Sequence, residues 1–184
     1  MRKEFKTYIL SLINDIPHGF YEGVLSILCV GLVVFLVWKG KQAGQYIARL
    51  ILIEFTVLIY YSTIICRATK VSREYNFTPF WSYEKPELFV ENIMNVVVFV
   101  PIGLLLGIAF KQMTWWKTLL IGCSISISIE SLQFWFMKGF SEVDDVMHNT
   151  VGCLIGFLIV SGFRHITAAV NHLHRAPRCF SVLC

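Results

Sequence analysis

Five apolar runs, at about residues 20–38, 46–65, 91–110, 116–137 and 145–163, decide what this chain can fold into. Each comes close to the roughly 20 residues that a helix needs to cross a bilayer. In lipid the backbone N–H and C=O groups must be satisfied within the segment itself, which a helix does. Composition agrees: 56% of residues are hydrophobic, 15% are charged, and the mean hydropathy is +0.65. That is well above an ordinary soluble domain. The expected fold is therefore all-α, a polytopic membrane bundle of about five transmembrane helices occupying residues 18–164.

Two segments flank the bundle. In residues 1–17, Phe5, Tyr8, Ile9, Leu12, Ile13 and Ile16 recur at helical spacing, with Arg2, Lys3, Lys6, Thr7 and Ser11 opposite. This pattern predicts an amphipathic helix, lying in the membrane interface or packed on the spans. It is not a secretory signal, because Asn14 and Asp15 break the apolar stretch and no small-residue cleavage site follows. Residues 165–184 form a basic tail. Its His165, His172 and His174 have no cysteine or carboxylate companions, so they read as headgroup neighbours, not as metal ligands.

Charge bounds the partners. The net charge of +4 is spread in short clusters between apolar runs. That pattern points to membrane lipids and away from nucleic acid. Five spans put Arg2, Lys3, Lys6, Arg67, Lys70, Arg73, Lys85 and Lys138 on one side. They put Lys39, Lys41, Arg49, Lys111, Lys117, Arg164, Arg175 and Arg178 on the other. The positive-inside rule returns a tie. The six cysteines lack metal spacing and imply no disulfide framework. Oligomeric state is not legible.

The unusual feature is a polar concentration beside lipid-like sequence. Asn92 and Asn95 open the third span, Glu130 and Gln133 close the fourth, and Glu142, Asp144, Asp145, His148 and Asn149 surround the start of the fifth. Up–down topology brings all of them to the membrane surface that carries the 66–90 loop, in a layer on the order of 10–12 Å deep. A carboxylate facing lipid is expensive, so these faces should meet each other or a wet cavity. Gly152 and Gly156 form a small-xxx-small pair for close helix contact. Pro101, with Gly103 beside it, suggests a kink in the third span. Asn92, Asn95 and Gln133 can equally be amides that pin neighbouring helices. Glu54 reads as structural, a partner for Arg49 or a neighbouring span.

At these residues the chain resembles the VanZ-like family of bacterial membrane proteins. The ordered set is "NFTPF" at Asn76–Phe80, "NVVVFVPIGLLL" at Asn95–Leu106, ExxQ at Glu130 and Gln133, and "EVDDVxxNTVGxxxG" from Glu142 to Gly156. It covers about residues 76–160. Here Lys138 stands alone where the family often has an arginine, Glu142 replaces a common Asp, and His148 is not a usual family residue. The resemblance implies a place in the cell envelope and a link to resistance against teicoplanin, a lipid-tailed glycopeptide. It also places the "PF" loop and acidic turn outside, with the N-terminus outside and the tail cytoplasmic.

Two readings of different classes follow. In one, a polar pocket at the extracytoplasmic face binds or shields a lipid-linked cell-wall precursor or a lipoglycopeptide, without catalysis and without a cofactor. In the other, the protein is a membrane-embedded hydrolase or transferase acting on a phosphate-bearing lipid. Glu130, Glu142, Asp144, Asp145 and His148 would then hold a divalent cation or act as acid and base. No HExxH, GxSxG or P-loop motif supports the second.

Overall fold

The computed structural model describes residues 43–175. The amphipathic segment at 1–17, the first apolar run and the end of the tail, with His172 and His174 side chains, Cys179 and Cys184, lie outside what is described. The element order is α1 (Ala43–Tyr60), β1 (Glu74–Asn76), two short 3-10 turns (Trp81–Glu84 and Pro86–Leu88), α2 (Phe89–Ala109), α3 (Trp115–Phe136), β2 (Phe140–Glu142) and α4 (Val143–Arg175). Four helical segments among the described residues are long and apolar enough to span a membrane: Ala43–Ile65, Phe89–Ala109, Trp115–Phe136 and Val143–Asn171. They match the last four expected runs to within a few residues, except that α4 continues into the tail. Nothing after Arg164 breaks a helix until Pro177.

The most extensive interface is α2 against α4, and glycine makes it. An added Cβ at Gly152 would strike the Val96 carbonyl, one at Gly156 the Val100 carbonyl, and one at Gly103 the Cys153 carbonyl. Each glycine is a place where the two backbones touch, so dispersion between main chains replaces side-chain packing. Pro101 lies within α2, which stays helical through it. Around this seam Ile59, Phe99, Ile102, Leu106, Ile129 and Cys153 form the buried core. Outward-facing positions such as Ile53, Val57, Leu120 and Leu158 are apolar and exposed, as a lipid-facing surface must be.

One end of the bundle is tied to the last turn of α2 by arginines from α1 and α4: Arg49 Nε donates to the Ala109 carbonyl at 3.3 Å, and Arg164 donates to the Gly107 carbonyl. Glu54 is not Arg49's partner, and its Oε2 is buried with no hydrogen bond among the described residues. The other end carries a cap. α1 finishes in a π-helical turn, Tyr61–Ile65, and the chain then runs to β1, which pairs in parallel with β2, Glu74 opposite Phe140 and Asn76 opposite Glu142. The Lys70 N–H donates to the Met137 carbonyl at 2.7 Å. Met137 ends α3 in the left-handed region, at φ 53°. That conformation swings Lys138 and Gly139 back toward β2.

Candidate functional site

All nine residues of the expected polar cluster lie at this capped end, yet they do not share one purpose. Asp144 is 1% exposed and spends both carboxylate oxygens on the loop. Its Oδ1 accepts from the Phe80 N–H at 2.6 Å, and its Oδ2 accepts from the Ser82 N–H at 2.9 Å and the Ser82 hydroxyl at 2.6 Å. It thus caps the 3-10 turn Trp81–Glu84, which Phe80 enters in the left-handed region at φ 64°. The Asn92 amide donates to Ser82 Oγ at 3.1 Å and belongs to the same anchor. His148 Nε2 pairs with the Tyr83 hydroxyl at 2.8 Å. Asp144, Asn92 and His148 therefore hold the loop.

The other six surround two cavities. Glu142 sits at the end of β2 and accepts from the Trp81 indole N–H at 2.9 Å. Glu130 Oε2 accepts the Glu142 backbone N–H at 3.0 Å, which ties α3 to β2. The Asn95 amide donates to Asp145 Oδ1 at 2.7 Å, the Asn149 amide to Ser126 Oγ at 2.8 Å, and the Gln133 amide to the Thr63 carbonyl at 3.4 Å. An inner cavity of about 210 Å³ is bounded by Asn95, Glu130, Gln133, Asp145 and Asn149 from three helices. Above it opens an outer cavity of about 620 Å³, whose charged rim is Arg67, Lys70, Lys85, Lys138, Glu91, Glu142 and Asp145. Arg67 and Asp145 line both, so they mark the neck. A third, apolar slot of about 230 Å³ lies between α3 and α4, walled by Phe77, Ile127, Phe134 and Trp135, with Glu130 and Glu142 at its inner edge.

Electrostatics at the rim follow from burial. Glu142 stands outside the spans, and its carboxyl is pushed up to about 7. Partial desolvation is the main cause, with the nearby Asp145 adding to it, while the Trp81 hydrogen bond works the other way. The five groups named for a metal or acid–base role do not converge. Asp144 and His148 face the loop, and among the described residues no group of three or more His, Cys, Asp or Glu side chains could hold a metal ion.

Arg67 lies outside the expected cluster, in the loop after the π turn; the charge pattern marks it, with Lys70 and Arg73, only as an exception to the positive-inside rule that lipid phosphate would explain. Its carbonyl accepts from Lys138 Nζ at 3.0 Å. A Cβ at Gly139 would lie 2.8 Å from its guanidinium nitrogen, so that glycine leaves room for it. Lys70 is paired with Glu74, and Arg73 lies 5.4 Å from the ring centres of Phe134 and Trp135.

These features define a class: a multi-pass α-helical membrane protein with its polar residues gathered at one end of the bundle. The profile of the VanZ/LLP1 family matches residues 25–164, and the chain belongs to that family. Protein VanZ of Enterococcus faecium is 37% identical over 120 residues, which is 64% of this chain and 73% of that protein. No solved structure matches it.

Proposed function

We propose that the protein holds a lipid-anchored envelope molecule, a lipid-linked cell-wall precursor or a lipoglycopeptide, at the extracytoplasmic membrane face, and so contributes to teicoplanin-type resistance. The observation that carries this reading is the apposition of two unlike cavities across Glu130 and Glu142. On one side lies the charged double cavity, on the other the apolar slot between α3 and α4. An amphiphile has those two halves, a hydrated head and an apolar chain. The family relationship supplies the antibiotic.

The outward orientation rests on the same cavity. Arg67, Lys85 and Lys138 on the outer face run against the positive-inside rule. A cation that lines a binding cavity is kept for its ligand, which gives a reason for the exception. Cysteine labelling in intact cells tests the orientation: a probe at Val71, which is fully exposed, should react, and one at Lys111 should not. Function is tested with Glu130→Gln, which keeps shape and replaces the carboxyl group by an amide. The variant should reach the membrane at normal abundance and lose its effect on teicoplanin susceptibility in a host that depends on this protein. A normally inserted, fully active Glu130→Gln protein would remove the cavity from the account.

A further inference from the structure

We infer that the double cavity recognises a phosphate that bears a polyhydroxylated group, with the phosphate at Arg67 and the hydroxyls in the inner chamber. This rests on the proposed reading that the cavity takes a lipid headgroup, and it specifies which kind.

The donor and acceptor pattern points there. Each of the three amides of the inner cavity gives one N–H to the protein, Asn95 to Asp145 Oδ1, Gln133 to the Thr63 carbonyl and Asn149 to Ser126 Oγ. A backbone carbonyl only accepts, so the orientation of the Gln133 amide is fixed. Gln133 is 2% exposed, and its Oε1 has no hydrogen-bond partner. A buried acceptor left unmade costs about 1–3 kcal/mol in general, so the position is built to meet a donor. Glu130 and Asp145 each use one carboxylate oxygen on the protein, at 3.0 Å and 2.7 Å. The walls therefore offer acceptors from α3 and α4 and ask for a ligand with more than one donor.

Arg67 supplies the opposite chemistry at the neck. Its guanidinium makes no hydrogen bond or ion pair among the described residues, although Glu130 and Asp145 are within electrostatic reach. A guanidinium presents five N–H donors in a planar fork that matches phosphate oxygens. A single ammonium, as in an ethanolamine headgroup, has three donors at one point and would leave acceptors on the far walls unmet. It would also underfill about 210 Å³. A glycerol or sugar carries hydroxyls around its whole perimeter. Each hydroxyl can donate to a carboxylate or an amide carbonyl while the phosphate stays in the neck.

The test uses the purified full-length protein and native mass spectrometry. Phosphatidylglycerol, phosphatidic acid, phosphatidylethanolamine and an uncharged glucosyl diacylglycerol are offered separately with identical acyl chains, and a glucosyl phosphate on an isoprenoid is offered as a fifth ligand. Phosphatidylglycerol or the glucosyl phosphate should be retained roughly tenfold better than the other three, the worth of one or two hydrogen bonds. Whichever of the two binds better identifies the polyol's source. Arg67→Gln, at an exposed loop position, should lower that retention roughly tenfold and bring it to the level of the uncharged glycolipid. Gln133→Met should bring it to the level of phosphatidic acid while leaving phosphatidic acid unchanged. Equal retention of phosphatidic acid, phosphatidylethanolamine or the uncharged glycolipid overturns the inference and leaves the broader lipid reading standing. Retention of none of the five overturns both.

Discussion

Asp144→Ala should loosen the loop without unfolding the bundle. The carboxylate receives three hydrogen bonds, at 2.6, 2.9 and 2.6 Å, from Phe80 and Ser82. Hydrogen bonds to a charged group contribute about 1.5–3 kcal/mol each, but the three will not sum, because the Phe80 N–H sits near the surface and can return to water. Ser82, at 1% exposure, cannot, so its N–H and hydroxyl are stranded. Two stranded donors set the cost at about 2–5 kcal/mol, confined to the cap. Asp144→Asn keeps one acceptor and can donate to Ser82 Oγ, so it should lose about half as much. Hydrogen exchange reads this directly. Protection of the Phe80 and Ser82 amides should fall roughly thirtyfold or more in the alanine variant and less in the asparagine one, with amides in α2 and α4 unchanged. If both amides stay protected in Asp144→Ala, the carboxylate is not what holds the loop.

Two further outcomes are expected. Gly156→Ala would put a Cβ 2.7 Å from the Leu104 nitrogen and against the Val100 carbonyl, so it should cost about 1–3 kcal/mol or more in a detergent melt, whereas Gly162→Ala, with nothing within 4 Å, should be neutral or slightly stabilising. Glu142 titrates near 7, raised from its ordinary 4.5, so the folded state binds its proton more tightly than the unfolded chain. Its favourable contribution is complete below about 4.5 and is lost as pH rises through about 7. Melting temperatures of wild type should therefore fall between pH 5 and 8 more than those of Glu142→Gln, and parallel curves would contradict the assignment.

The bundle was readable in advance because hydropathy and length are local properties. The Gly152–Gly156 spacing likewise announces close approach, and Glu130 and Gln133 three residues apart must share a face. The division of labour within the acidic turn was not legible: Asp144 and Asp145 are expected in one cluster, and only the loop's position shows that these neighbours, about 100° apart around the helix axis, take different partners. What the sequence could not disclose is tertiary. Arg67 joins the cavity only because β1 draws its loop over α3. Three-residue strands are too short to show an alternating pattern. Ser82 and Ser141 are hydroxyls in connecting segments, where surface exposure is the ordinary expectation, but they are 1% and 3% exposed because each is hydrogen-bonded beneath the cap.

The parallel pairing of Glu74–Asn76 with Phe140–Glu142 also sets an order of assembly. The chain between the two strands contains all of α2 and α3, so the ribbon cannot close until both helices have been made and inserted. Helices form from local contacts; this ribbon must wait for a long loop to be closed. The cavity mouth can thus be completed only after α2 and α3, and α4, which brings Asp144 and Asp145 to it, is made later still. A few backbone bonds and the Asp144 anchor hold it, against the long glycine seam that holds α2 to α4, so the cap should open at a lower free energy than that seam. Under the proposed function, a ligand bulkier than the mouth would enter by lifting the cap while α2 and α4 stay packed.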